Sequence, residues 1–291
     1  MKHLFIINPQ AGKGKPLKLV PLIKEYFAGR DEQYQIEFTE YPGHAAALTR
    51  QHVQSDRYRV YAVGGDGTLN EVLNGIVGSD SSLAVIPAGT GNDFVKTLGR
   101  KMELQELLHL TIKGKEKPLD LAVINNRYFI NISSVGFDAE VVEKTLRFKK
   151  GLLAGVSYLA GVLLTLLRYK NHPLNITVDG ESISTRFLLI AVANGRYYGG
   201  GFLPTPGALL DDGLLDICMI GKKNIFEIMG TIAKYMKGTH HTVKRVSFLK
   251  GKEINISCEK EIAVNIDGEV ERLRELNFKI IPAGIKMVVP G

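Results

Sequence analysis

Over roughly the first 115 positions, apolar residues fall into short continuous runs, and each run is followed by a stretch with helical spacing. His3–Asn8 predicts a buried strand and Lys15–Gly29 an amphipathic helix. Gln35–Glu40 with Gly43–Gln54, and Tyr58–Val63 with Leu69–Val77, repeat that pair, and Leu83–Ile86 supplies a fourth short strand. Uninterrupted apolar runs suit strands covered on both faces, and their alternation with helices predicts βαβ units on a parallel sheet.

After about Lys115 the pattern changes. Leu119–Ile124 and Tyr128–Val135 flank Asn125-Asn126, and Leu174–Val178 and Ser182–Ala193 flank Asp179-Gly180, both hairpin junctions. Short strands recur at Leu214–Ile220, Val243–Leu249, Glu253–Ser257, Glu261–Ile266, Leu276–Ile281 and Lys286–Val289, with helices over Ala139–Tyr169 and Lys223–Lys237. This predicts an antiparallel β-sandwich with helical insertions. The expected organisation is an α/β, Rossmann-like domain over 1–116 and a mainly antiparallel β-sandwich domain over 117–291, with the last strand free to return to the first domain.

Composition narrows the classes. With 291 residues, 45% hydrophobic and 23% charged, the chain is neither disordered nor fibrous. A net charge of +7 favours a polyanionic partner, whether nucleic acid, an anionic membrane surface or a phosphorylated substrate. Two isolated cysteines, Cys218 and Cys258, exclude a disulfide framework and a cysteine-rich zinc site. The Leu4–Ile7 run stops at Asn8-Pro9, too soon for a signal peptide, so a reducing, cytoplasmic setting is expected. Gly151–Leu167 carries no charge between Lys149-Lys150 and Arg168 but is short of the ~20 residues of a spanning helix. It is expected to be a buried or interfacial helix, with the protein peripheral to the membrane.

The 31 glycines are the surplus that points to chemistry. Gly64-Gly65-Asp66-Gly67-Thr68-Leu69-Asn70-Glu71 lies between a strand and a helix, where backbone N–H groups and the helix N-terminus attract phosphate. Asp66 suits such a place only if it serves a metal or its bound water. Gly89-Thr90-Gly91-Asn92-Asp93-Phe94 follows the next strand, and Asn8-Pro9-Gln10-Ala11-Gly12-Lys13 follows the first, so all three meet at the carboxyl edge of the sheet. No GxxxxGK[ST] loop, dinucleotide fingerprint or protein-kinase HRD/DFG pair is present. The His240-His241 pair, in a polar loop without partners in view, is expected to be solvated. Asp267-Gly268 reads as a hairpin turn with Glu269 at a solvated strand edge, and Asp211-Asp212-Gly213 as an acidic turn.

These motifs, in this order, closely resemble the catalytic domain of bacterial diacylglycerol kinases, a family of soluble lipid kinases that includes sphingosine and ceramide kinases and shares the NAD-kinase fold. Asn194-Gly195 with Tyr198-Gly199-Gly200-Gly201, Asp211-Asp212-Gly213-Leu214-Leu215-Asp216 and Asp267-Gly268-Glu269 extend the resemblance over essentially the whole chain. The resemblance implies ATP with Mg²⁺ held by Asn8, Pro9, Gln10, Ala11, Gly12, Thr39, the segment Gly65, Asp66, Gly67, Thr68, Leu69, Asn70 and Glu71, and Thr90. It implies Glu269 as general base for a lipid hydroxyl, with Asp66 as a second catalytic residue. It implies a second, structural Mg²⁺ on Asp212 and the Leu214 carbonyl, with Leu209 where some members carry an acidic ligand, and Asp93 and Asp120 in the polar network between site and metal.

The resulting expectation is a lipid kinase moving the γ-phosphoryl group of ATP to a primary hydroxyl, with diacylglycerol first among sphingoid bases, phosphatidylglycerol and polyprenols. An NAD-kinase-like enzyme and a non-catalytic nucleotide-sensing regulator are the alternatives. No RRM-, KH- or zinc-finger-like pattern supports nucleic-acid binding. Exposed strands of the second domain offer edges for a homodimer.

Overall fold

The computed structural model describes residues 1–99, 103–148 and 173–289. The Gly151–Leu167 segment and the end of the expected Ala139–Tyr169 helix lie outside the described residues. The chain divides into two units, one formed by Met1–Leu121, Arg127–Ile130 and Ile281–Gly291, the other by Ala122–Asn126 and Asn131–Ile280.

The first unit is built on a parallel sheet of β1 (Lys2–Ile7), β2 (Tyr34–Phe38), β3 (Tyr58–Gly64) and β4 (Ser82–Pro87), in the order β2-β1-β3-β4. The end of β13 (Glu269–Val289) adds a further parallel strand through Met287 opposite Leu83. Every residue of Leu4–Ile7 is fully buried, as expected of strands covered on both faces. Their cover includes α1 (Leu19–Phe27) and α5 (Leu104–Ile112), with Leu19, Ile23, Phe27, Leu108 and Ile112 closing over Phe5, Tyr61 and Val63. The expected helix from Lys15 begins as a 3-10 turn over Lys15–Lys18 with Pro16 in it, and the α-helix proper starts at Leu19. α2 (His44–Val53), α3 (Asp66–Ile76) and α4 (Asp93–Thr97) complete this unit's helices among the described residues.

The second unit is antiparallel. β7 (Ile132–Gly136), β9 (Glu181–Ala193), β10 (Leu215–Gly221), β11 (Val246–Gly251) and β12 (Glu253–Ile266) run in the order β11-β10-β9-β7-β12-β13. β9 and β12 also share β8 (Pro173–Val178) as a neighbour, so both long strands serve two layers. β12 takes the place of two expected strands, because a register shift between Ser257 and Ile262 interrupts its alternation. α6 (Phe137–Phe148) and α7 (Ile225–Lys237) pack Val141, Ile228 and Tyr235 on Ala191, Cys218 and Ile220. The Asn125-Asn126 hairpin joins β5 (Lys115–Ile124) to β6 (Arg127–Phe129), and Ile130-Asn131 then separates β6 from β7, where one strand was expected. Among the described residues no helix is long and apolar enough to cross a membrane.

Candidate active site

β1, β3 and β4 end at one edge of the parallel sheet. The chain leaves β1 for β2 on one side and returns to β3 on the other, so the loops after β1 and β3 open a crevice at the switch point. Asn8 ties these two loops together. Its main-chain amide donates to the Val63 carbonyl (3.0 Å), and its side-chain amide donates to Thr68 Oγ1 (3.1 Å). Its Oδ1 accepts from the Gln10 amide (3.0 Å), which turns Pro9, Gln10 and Ala11 over the strand end. Thr39, half-buried just beyond β2, donates its amide to the Ile7 carbonyl (2.9 Å).

Glycine lets the three loops touch. Gly12 has φ +53°, and a β-carbon there would collide with the Ala88 carbonyl. A β-carbon on Gly89 would run into the Gly65 Cα, so the loops after β3 and β4 meet backbone to backbone. The Gly64 carbonyl accepts from Ala88 and Gly89 at 2.8 and 3.0 Å. At the start of α3, Gly67 is exposed, with no atom within 4 Å of a β-carbon built on it. The amide end of an eleven-residue helix thus opens on free space beside exposed Thr90, the arrangement that attracts phosphate.

Other side chains in the glycine segment turn elsewhere. Leu69 is in the core. Asn70 donates to the Tyr128 carbonyl (3.4 Å) and accepts from Arg127 (3.4 Å). Glu71 accepts from the Ala45 amide (3.1 Å), where it favours the N-terminal end of α2. Sequence reading passed over Asn92 as a contributor. With φ +51° it accepts from the Gly89 amide and donates to the Gly89 carbonyl, both at 3.0 Å, and so fixes the β4 loop. Its place three residues after Gly89, a position where Asn tolerates left-handed backbone, was the available signal.

Asp66 is half-buried at the first position of α3, and its Oδ1 accepts from the Phe94 amide (3.2 Å). Burial pushes its carboxyl pKa up; the Asp93 and Phe94 amides oppose the shift, and the nearby Asp93 charge adds to it. Asp93 is buried and paired with Lys96 at 2.6 Å. Asp120, in the same unit, accepts from the Ala283 amide (2.9 Å) and so holds Ala283 at φ +52°.

In the second unit, Asp267 and Gly268 form the tight turn between β12 and β13, with φ +47° and +95°. Asp267 Oδ1 accepts from the Asn131 and Ile132 amides (3.2 and 2.9 Å), which pins the turn to the start of β7. Glu269 follows it, exposed, opposite Ile266. His240, expected to be solvated, is instead fully buried. It contacts the Pro204 carbonyl (2.9 Å) and Cys218 Sγ (3.4 Å), because β10 brings Cys218 beneath its loop.

The expected structural Mg²⁺ meets a different donor set. Asp212 Oδ1 accepts from the Leu214 amide (3.1 Å), and its Oδ2 takes the Lys250 ammonium at 2.7 Å. The same ammonium lies 3.1 Å from Asp216. The Leu209 side chain offers no oxygen, and no group of three or more His, Cys, Asp or Glu among the described residues is placed to hold a metal. Mg²⁺ demands six oxygens in near-octahedral array at ~2.1 Å. The Lys250 ammonium takes the Asp212 Oδ2 that such an ion would need, so the side chains as placed do not fit it.

The family described as "Diacylglycerol kinase catalytic domain" matches residues 2–124, and "YegS C-terminal NAD kinase beta sandwich-like domain" matches residues 131–289. A diacylglycerol kinase of Staphylococcus aureus (strain MRSA252) is 32% identical over 292 residues, covering 99% of this chain and 92% of the relative. A Shewanella frigidimarina protein named "Probable lipid kinase YegS-like" is 32% identical over 237 residues, 80% of this chain and 76% of its own. A crystal structure described as a diacylglycerol kinase from Bacillus anthracis matches with a TM-score of 0.72 at 25% identity, covering 99% of this chain and 96% of that one. An α/β unit with a glycine-lined sheet edge, followed by an antiparallel β-sandwich, thus defines a two-domain kinase of the lipid-kinase class. Within that class the chain belongs to the family of bacterial diacylglycerol kinases and YegS-like lipid kinases.

Proposed function

We propose that the protein transfers the γ-phosphoryl group of ATP to the primary hydroxyl of diacylglycerol, yielding phosphatidic acid and ADP. The observation that carries this reading is the backbone contact between Gly65 and Gly89 beside the open amide end of α3. It is the kind of cradle that phosphates fill, in a chain of lipid-kinase family. In this reading MgATP is the nucleotide substrate. Asn8, Gly12, Thr39, Gly65, Gly67, Thr68 and Thr90 border its place, and Asp66 faces the metal or its water.

Glu269 would accept the hydroxyl proton as that oxygen attacks the γ-phosphorus; the bond to the bridging oxygen breaks and ADP departs with the electron pair. Phosphoryl transfer needs chiefly positioning and charge stabilisation, so a glycine cradle, a metal-bound nucleotide and one base suffice. The test is label transfer from γ-labelled ATP to a panel of diacylglycerol, sphingosine, phosphatidylglycerol, a polyprenol and NAD. Label in phosphatidic acid supports the reading, whereas label in NAD alone, or in nothing, overturns it.

A further inference from the structure

α7 carries two apolar faces. Its inner one, with Ile228, Ile232 and Tyr235, packs into the core of the second unit. Adjoining it on the exposed side, at i, i+3 and i+10, Phe226, Met229 and Met236 are 81%, 63% and 52% exposed. Gly230 and Ala233 lie exposed on the same stripe, so it is continuous until Lys237 closes its C-terminal end. Scattered exposed apolar residues are ordinary, but three large ones in a row on one helix are a patch.

Charge decides what such a patch fits. Residues 222–245 hold six basic side chains and one acidic one. The acid, Glu227, is engaged in capping α7, where it accepts from the Asn224 amide (2.8 Å). Lys222, Lys234 and Lys237 are exposed around the stripe, and Lys244 and Arg245 are exposed in the adjoining segment. Bulky apolar side chains rimmed by lysines are what an interfacial helix offers to a bilayer, with its ring and thioethers below the headgroups and its ammonium groups on the lipid phosphates. A protein partner would need an acidic rim to match, whereas a second copy of this chain would bring the same positive charge against itself.

We propose that the outer face of α7 docks the protein on an anionic lipid bilayer, with Phe226, Met229 and Met236 inserted and Lys222, Lys234 and Lys237 on the headgroups. The proposal rests on the reading of the chain as an enzyme of membrane lipids and adds to it the surface by which the enzyme reaches them.

The chain contains no tryptophan, so Phe226→Trp introduces a single tryptophan reporter at the N-terminal end of the patch. With vesicles of phosphatidylglycerol and phosphatidylcholine, its emission shifts to the blue and is quenched by lipids brominated near the headgroup end of the chains. Salt weakens the shift, since the electrostatic part is screened. In vesicle sedimentation, the triple variant Phe226→Ser, Met229→Ser, Met236→Ser binds at least about tenfold more weakly than the native chain while keeping its activity on detergent-dispersed lipid. The proposal is overturned if the reporter's emission stays unchanged while the protein sediments with vesicles, because another face then binds. It is equally overturned if nothing sediments, or if the blue shift appears without vesicles and grows with protein concentration, which marks self-association. Reporter insertion by a protein that phosphorylates no lipid would sink the proposed reaction and leave the docking face standing.

Discussion

Lys250 holds its ammonium 2.7 Å from the Asp212 carboxylate, and the pairing of β10 with β11 sets Lys250 directly opposite Asp216. One lysine thereby bridges two carboxylates that flank Gly213, itself at φ +72°. The cation that faces this turn is thus carried by the sheet itself. Lys250→Met removes the charge and keeps the stem; for these partly exposed groups the loss is about 1 kcal/mol, or roughly 2–4 °C in Tm. Calorimetry without nucleotide should show a native Tm indifferent to millimolar Mg²⁺ and a variant Tm that Mg²⁺ partly restores. A native protein markedly stabilised by Mg²⁺ alone would mean that the metal displaces the lysine.

The glycines of the cradle are expected to fall into two groups. Gly67 has open space where a β-carbon would stand, so Gly67→Val leaves the fold intact. Its side chain nonetheless projects where phosphate must approach, and ATP affinity measured by titration calorimetry drops at least about tenfold. Gly89→Ala instead drives a β-carbon into Gly65, so it lowers Tm by several degrees as well as weakening ATP. Equal Tm losses in the two variants would refute this division.

Asp66 should show a conflict between activity and stability. Burial raises its pKa above that of the unfolded chain, so the folded state holds the proton more tightly. The associated stability is therefore complete below the ordinary aspartate range and lost as pH rises through the raised value. At neutral pH the ionised carboxylate opposes folding, and Asp66→Asn, which keeps an acceptor for the Phe94 amide, removes that opposition. The variant should melt higher than the native protein at pH 7 and lose this advantage at acidic pH, while its kinase activity falls sharply. Tm measured against pH for both proteins checks the sign, and a lower Tm for the variant at pH 7 contradicts it.

The parallel sheet was legible because β1, β3 and β4 are largely apolar and its loops carry glycine where backbones touch. What escaped the sequence depended on partners far apart along it. Lys250 and Asp212 are 38 residues apart and meet only through strand pairing. His240 sits in a polar stretch, and Cys218, Pro204, Tyr235 and Phe248, remote or unmarked in the local pattern, close around it. Glu71 accepts from the Ala45 amide of α2, a partner 26 residues away that no local pattern indicates. β13 was read as two strands because Pro282-Ala283-Gly284 breaks the apolar pattern, yet Asp120 bonds the left-handed Ala283 and the strand continues through it. Local chemistry fixed where backbone must bend, whereas tertiary pairing decided which charged group each side chain met.

Glu269 tests the proposed chemistry most directly. The Asp267-Gly268 turn, clamped by the Asn131 and Ile132 amides, gives this carboxylate a defined position on an exposed hairpin. A base must be open to the hydroxyl it deprotonates, and the Glu269 carboxylate is exposed. Glu269→Gln preserves size and polarity but cannot take the proton. The expected result is a kcat lower by about 10²–10⁴-fold on the best lipid of the panel, with the ATP dissociation constant nearly unchanged. Asp267→Ala should act differently: it frees the Asn131 and Ile132 amides, lowers Tm, and reduces kcat through misplacement of Glu269. If Glu269→Gln keeps a kcat close to native, the base lies elsewhere. If instead it weakens ATP binding as much as it slows turnover, Glu269 serves the nucleotide rather than the lipid hydroxyl.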